Sequence, residues 1–179
     1  ELSEDLFKIT FKPGDQVIDK DLELSYRIPP NGVIGAHAPD FTLEKLGNMN
    51  EKVSLSKVKE DVIVLDFWAT WCKPCSKSIP ELNRIYEQYR DKGVEFIGIN
   101  CDGPRSIAKV APMAKSLQIK YKVLLDINSE VMNDLSIMVF PTLILVNPQG
   151  EVVWIHEGFV SGDTEVIINE IDKYLSVVQ

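Results

Sequence analysis

The chain has 179 residues, 45% apolar and 26% charged, which suits one ordinary globular domain with a sizeable core and argues against global disorder. Nineteen Lys and Arg against 27 Asp and Glu leave a net charge of −8, and no Lys/Arg cluster offers the basic surface that nucleic acid needs. No apolar run approaches the length of a membrane span.

The chain begins at Glu1 rather than Met, so a signal peptide or membrane anchor outside it is part of the expectation. In the first 28 residues, Phe7, Ile9 and Phe11 alternate with polar neighbours, and Leu22, Leu24, Tyr26 and Ile28 do the same. Period-2 alternation predicts two half-buried strands, with the turn beginning at Pro13-Gly14-Asp15. Pro29-Pro30-Asn31-Gly32 then breaks the pattern. Residues 1–35 are therefore expected to form an N-terminal β-strand extension, packed on a main domain of residues 36–179 and covering a sheet edge. Asp40–Leu43 and Lys52–Leu55 predict short strands around Gly47-Asn48. Asp61–Phe67 is an apolar run with one internal acid, as in a strand buried on both faces.

A helix is expected from about Lys73 to Arg90, ended by Gly93. Next come a buried strand at Val94–Asn100, a helix at Pro104–Leu117 broken by Pro112, a strand at Lys122–Leu125 and a short helix at Ser129–Leu135. Thr142–Val146 and Glu151–His156 predict a hairpin, and Asp163–Leu175 a terminal amphipathic helix. The alternation of strands and helices predicts an α/β fold: a mostly parallel central sheet with helices on both faces, made mixed by an antiparallel edge.

Three cysteines, Cys72, Cys75 and Cys101, are too few for a disulfide scaffold and point to chemistry instead. Trp71-Cys72-Lys73-Pro74-Cys75 lies at a strand-to-helix junction. Two cysteines at that spacing can close a small disulfide, and the helix start favours the Cys72 thiolate. Lys73 adds a positive charge and Pro74 suits a first helical turn. Cys72 would then attack a partner disulfide, and Cys75, better buried, would resolve the mixed disulfide. A zinc site would need two further ligands; the chain has no second C-x-x-C, and Cys101 with His37 or His156 would have to converge by chance from strand and loop positions. Those histidines read as surface or strand residues, and Glu81 and Arg84 as a solvated helix face. Cys101 reads as a small buried residue, the alternative being a third redox thiol. Asp66, alone in its apolar strand, is expected to have a raised pKa suited to accepting a proton from Cys75.

The segment Asp66–Cys75 (D-F-W-A-T-W-C-K-P-C) resembles the active-site segment of the thioredoxin superfamily. Pro80 is similar to that family's helix proline, and Val139-Phe140-Pro141-Thr142 to its cis-proline loop. Ala38-Pro39-Asp40-Phe41-Thr42-Leu43 and the helical insertion after Asn100 resemble the extracytoplasmic TlpA/ResA branch. The resemblance covers residues 36–179. It implies a thioredoxin-like fold and a thiol–disulfide oxidoreductase acting as a reductase of protein disulfides, without added cofactor or metal. It also implies a cis Pro141, a substrate surface made by Trp71, Phe140 and Pro141, and β-addition of a substrate strand. A periplasmic or membrane-anchored place outside the cytoplasm, a membrane thiol donor and a role in cytochrome c maturation belong to the same expectation. Two positions depart from the pattern. Ser78 stands where ResA-like members carry Glu, and Gly98 aligns with the Lys that partners thioredoxin's buried Asp.

Other functions remain in view. A-P-D-F-T-L hints at a peroxiredoxin, but P-x-x-x-T-x-x-C would put Pro at Leu65 and Thr at Ala69. Copper handling through soft thiolates is a second alternative, and a redox-silent peptide-binding module a third.

Overall fold

An apolar run without alternation must be covered on both faces, and all seven residues of Val62–Trp68 are buried. The computed structural model describes residues 17–19, 24–26 and 33–178. In chain order the strands are β1 (Val17–Asp19), β2 (Leu24–Tyr26), β3 (Thr42–Lys45), β4 (Asn48–Ser54), β5 (Val62–Trp68), β6 (Val94–Asn100), β7 (Lys122–Leu125), β8 (Thr142–Val146) and β9 (Val152–Glu157). The helices are α1 (Cys75–Tyr89), α2 (Val110–Ser116), α3 (Glu130–Asp134) and α4 (Asp163–Val178).

Strands β3 to β9 form one sheet in the order β4-β3-β7-β6-β5-β8-β9. Only β5, β6 and β7 run parallel. The hairpins β3–β4 and β8–β9 join antiparallel at opposite edges. The sheet is thus mixed, and less parallel than the alternation of elements predicts. Parallel neighbours need a long crossover, which α1 and α2 supply, whereas the short links within the hairpins permit only antiparallel pairing.

The two faces of β5 bury different layers. Ile63, Leu65 and Phe67 lie in one cluster with Val131 and Leu135 from α3 and its end. Val62 and Val64 lie in another with Leu82, Ile85 and Tyr89 of α1 and Ile167, Ile171 and Leu175 of α4. A third cluster joins Trp68, Cys72, Cys75 and Ile79 to Val110 and Ala114 of α2. Helices therefore cover both faces, as expected of an α/β fold. Gly93 closes the α1–β6 link at φ +77°, where a Cβ would sit 2.7 Å from Asp61 Oδ2.

Several boundaries differ from expectation. Pro112 does not break a helix but occupies the third position of α2, where its missing N–H has no intrahelical bond to lose. A 3-10 turn, Ile107–Lys109, precedes α2. In the N-terminal region, β2 pairs with β1 (Ile18 opposite Ser25), and β1 falls within the segment read as the turn. This pair is a sheet of its own, separate from the main sheet. The predicted strand around Phe7–Phe11 lies outside the described residues. The chain reaches the main sheet at residues 35–38, where Gly35 donates to Val152 O at 2.8 Å and Ala38 to Gly150 O at 2.8 Å.

Gly98 of β6 stands opposite Asp66 of β5. A Cβ there would lie 3.2 Å from Trp68 Nε1 and 3.2 Å from Tyr121 Cε2. Both neighbours are buried, so neither has room to give. Gly98→Ala is expected to lower the unfolding free energy by about 1–3 kcal/mol, read as a lower urea midpoint at unchanged slope.

Candidate active site

The link from β5 to α1 carries the cysteine pair. Ala69 is buried, and its carbonyl accepts from the Cys72 N–H at 3.1 Å, which turns the chain toward the helix. Pro74 is the N-cap, already helical at φ −60° and ψ −34°. Its carbonyl accepts from the N–H groups of Lys77 and Ser78. The helix thus starts at Cys75, two residues later than expected. A helix start leaves N–H donors without intrahelical partners, and one of them, Cys75 N–H, donates to Cys72 Sγ at 3.1 Å. Cys72 and Cys75 form a disulfide, with Cα atoms 5.3 Å apart. Cys72 is 5% exposed and Cys75 1%, so the second cysteine is the more buried. Lys73 and Pro74 are exposed.

Trp71 is 65% exposed, and its ring meets that of Phe140 edge-on with centroids 5.4 Å apart. Phe140 also packs against the cluster containing both cysteines. The Phe140–Pro141 peptide bond is cis, as the resemblance implies. Thr142 holds this loop by donating from its hydroxyl to Val139 O at 2.8 Å. Trp71 and Phe140 therefore meet beside the buried cysteine pair, and Met138 and Val139 of the same loop are exposed.

Asp66 is fully buried. It shares a face of β5 with Val64 and Trp68, between the clusters that hold the middle and the first turns of α1. Burial disfavours the carboxylate, and the hydroxyl of Tyr121, donating to Oδ2 at 2.8 Å, only partly opposes this. The result is a pKa pushed up to about 7. The other oxygen, Oδ1, accepts no hydrogen bond among the described residues. Ser78, at the position where ResA-like members carry Glu, donates from its hydroxyl to Cys75 O at 3.2 Å.

A second buried acid fixes the loop. Asp102 accepts from the Thr70 N–H at 2.7 Å, the Thr70 hydroxyl at 2.7 Å and Asn100 Nδ2 at 2.9 Å. Burial alone would raise its pKa, but the bonds from Thr70 and Asn100 outweigh that and hold it below the usual carboxylate value. Cys101 is a free, buried thiol. Burial pushes its pKa up, and the charges of Asp126, Asp66 and Asp102 push it further.

His37 pairs with Glu151 in an isolated bridge, and His156 Nε2 lies 3.0 Å from Asp163 Oδ2. Among the described residues no group of three or more His, Cys, Asp or Glu side chains is placed to hold a metal ion.

A family model described as the AhpC/TSA family matches residues 34–155. The chain belongs to the AhpC/TSA family. Within it, the chain is 33% identical over 145 residues to the thiol-disulfide oxidoreductase ResA of Bacillus thuringiensis subsp. konkukian, covering 81% of this chain and 78% of that one. It is 32% identical to ResA of Bacillus subtilis over 81% and 75% of the two chains. Among solved structures, a protein assigned as the thiol:disulfide interchange protein DsbE of Chlorobium tepidum superposes with a TM-score of 0.73 at 29% identity, covering 79% of this chain and 97% of that one. This AhpC/TSA member has a thioredoxin-like fold and is a thiol–disulfide oxidoreductase, with Cys72–Cys75 as its C-x-x-C pair.

The sequence points to the cysteine pair, Asp66 and the Phe140–Pro141 loop, but not to Tyr121, which bonds Asp66, or to Thr70 and Asp102, which bond each other. A glycine aligned opposite the buried acid was the one signal that another side chain had to approach it.

The folded state keeps the Asp66 proton up to about pH 7, whereas an exposed Asp loses it near 3.8. The native state thus binds more protons in that window, and stability is lost as pH rises from about 4 to 7. Asp66→Asn is expected to flatten that slope and, above pH 7, to gain up to about 4 kcal/mol, measured by urea unfolding across pH. Asp102→Ala leaves Thr70 and Asn100 without their buried acceptor. It is expected to cost about 2–3 kcal/mol and to speed proteolysis of the residue 69–74 loop.

Proposed function

We propose that this protein reduces disulfides in protein substrates outside the cytoplasm. The observation that carries this is the Cys72–Cys75 pair at the start of α1, the first cysteine less buried than the second, with Asp66 in the strand leading to it. In the reduced protein, the Cys72 thiolate attacks one sulfur of the substrate disulfide. A Cys72–substrate bond forms, the substrate bond breaks, and one substrate thiolate leaves. Cys75 then gives its proton to Asp66 and attacks Cys72 Sγ. The Cys72–Cys75 bond forms as the second substrate thiolate leaves; one substrate thiolate takes the proton that Asp66 returns, and the other takes one from water, equal to the one Cys72 lost in forming its thiolate. The substrate gains two electrons and two protons, and the enzyme dithiol becomes the disulfide. A membrane thiol donor restores the dithiol.

Trp71, Phe140 and Pro141 form the substrate-binding surface, and the Phe140 backbone accepts the substrate as an added strand. Lys73 and Pro74 tune the helix start beside Cys72. Residues 36–179 form the catalytic unit and residues 1–35 an extension. The likeness to ResA supports the extracytoplasmic, periplasmic or membrane-anchored location and a role in cytochrome c maturation, whose substrate is a C-x-x-C-H apo-protein. The same likeness and the buried acid support the reducing direction. Among the described residues no helix is long and apolar enough to cross a membrane.

Equilibration of the Cys72–Cys75 couple against a thiol buffer tests the direction. A potential near about −270 mV, as in thioredoxin, is expected; a value near about −120 mV, as in DsbA, makes the protein an oxidant instead. In the same assay Cys75→Ser is expected to accumulate a mixed disulfide on Cys72, and Cys72→Ser to form none.

A further inference from the structure

Tyr121 lies just before β7, and its hydroxyl donates to Asp66 Oδ2 at 2.8 Å. Both side chains are buried. Three features bring this phenol to the acid. Gly98, directly opposite Asp66 in β6, has no side chain, and the Tyr121 ring comes within 3.2 Å of where its Cβ would be. Tyr86 of α1 and Phe96 of β6 hold the ring, each with its centroid 6.0 Å away. The buried Asn83 of α1 clamps the preceding loop. Its Nδ2 donates to Leu117 O and Gln118 O, and its Oδ1 accepts from the Lys120 N–H at 3.0 Å.

We propose that Tyr121 is a positioning residue for proton transfer: it holds Asp66 by Oδ2, as a neutral donor, and so keeps Oδ1 free to take and return the Cys75 proton. This rests on Asp66 being the proton acceptor of the redox cycle. The phenol suits the task because it remains a donor in both states of the acid. It donates to the carboxylate, and it still donates to Oδ2 when Oδ1 carries the proton. A cation in its place would favour the charged acid and oppose protonation. None of the ion pairs among the described residues includes Asp66, and no cation offsets its burial. Cys101, at the end of β6, feels the charge of Asp66; β8 places apolar Leu143 opposite Asp66, and the cysteine pair of α1 packs in the cluster of Trp68, two residues further along β5. Cys101 remains a thiol across the neutral range, because burial and three acids oppose its ionisation. A neutral-range inflection therefore reports Asp66 or the cysteine pair.

The test compares the full chain with Tyr121→Phe and Asp66→Asn. Glutathione is placed on Cys72 as a mixed disulfide, and its release by Cys75 is followed from pH 5 to 9. A 13C-labelled Asp66 carboxyl gives the acid's own titration. Tyr121→Phe removes the bond to the charged form, so both midpoints are expected to rise by roughly half to one pH unit. Fluorotyrosine at position 121 is a stronger donor and is expected to lower them; it also serves should the Phe variant fail to fold. Unmoved midpoints in both variants, with the inflection lost in Asp66→Asn, overturn the role of Tyr121 alone. An inflection that survives unshifted in Asp66→Asn overturns Asp66 as the acceptor, and the role of Tyr121 with it; one displaced in that variant is the Cys75 thiol titrating without its acceptor, and supports the role of Asp66.

Discussion

A carboxyl group buried in the middle of a central strand is the constraint around which this structure is arranged. Asp66 has no exposed surface, and burying a carboxylate without a charged partner is among the more unfavourable things a fold can do. One neutral hydroxyl does not offset that. The group responds as such groups do, by keeping its proton to near-neutral pH instead of paying the full desolvation penalty. Its neighbours make that response possible. A side chain at position 98 would crowd both Trp68 and Tyr121, and a loose residue 117–120 loop would withdraw the phenol. Gly98 and Asn83, neither of them reactive, thereby help to set the chemistry of the site.

The second buried acid shows the opposite solution in the same region. Asp102 receives two bonds from Thr70 and one from Asn100, and these donors keep it ionised. Its charge ties the loop before Cys72 to the end of β6. The contrast lies in donor count rather than in residue type. At Asp102 the donors outweigh burial and lower the pKa, whereas at Asp66 the single hydroxyl does not. Two aspartates, one inside β5 and one just past the end of β6, thus meet burial in opposite ways.

Much of this was legible in the sequence because it is local. The Val62–Trp68 run, the C-x-x-C pair, the β8–β9 hairpin and strands β6, β7 and β8 each follow from composition and periodicity over a few residues. The limits of α1 shifted by only a residue or two, within the ordinary fraying of helix ends. Pro112 misled because proline is disruptive inside a helix but tolerated in its first turn, and the start of α2 was not marked by a capping residue. The extent of antiparallel pairing was missed because it depends on which edge each hairpin joins. Tyr121 and Asp102 were missed for a stronger reason. Tyr121 is 55 residues from Asp66, and Asp102 is 32 from Thr70, so only the β5–β6–β7 register brings them together. Strand register assigns side chains to faces, and a one-residue slip would send Asp66 to the α3 side.

The same register decides what the third cysteine can do. Cys101 N–H donates to Trp68 O at 2.9 Å, which fixes it at the end of β6 beside the strand that leads to the active site. Position alone would suggest a competing thiol. Exchange, however, requires a thiolate. Burial and the carboxylates of Asp126, Asp66 and Asp102 all oppose forming one at Cys101. At Cys72 the helix start works in the other direction, directing the Cys75 N–H at its sulfur. Two cysteines on neighbouring segments are thus separated chemically by the sign of their surroundings. The burial and the acids that surround Cys101 oppose its thiolate, while the helix start favours that of Cys72.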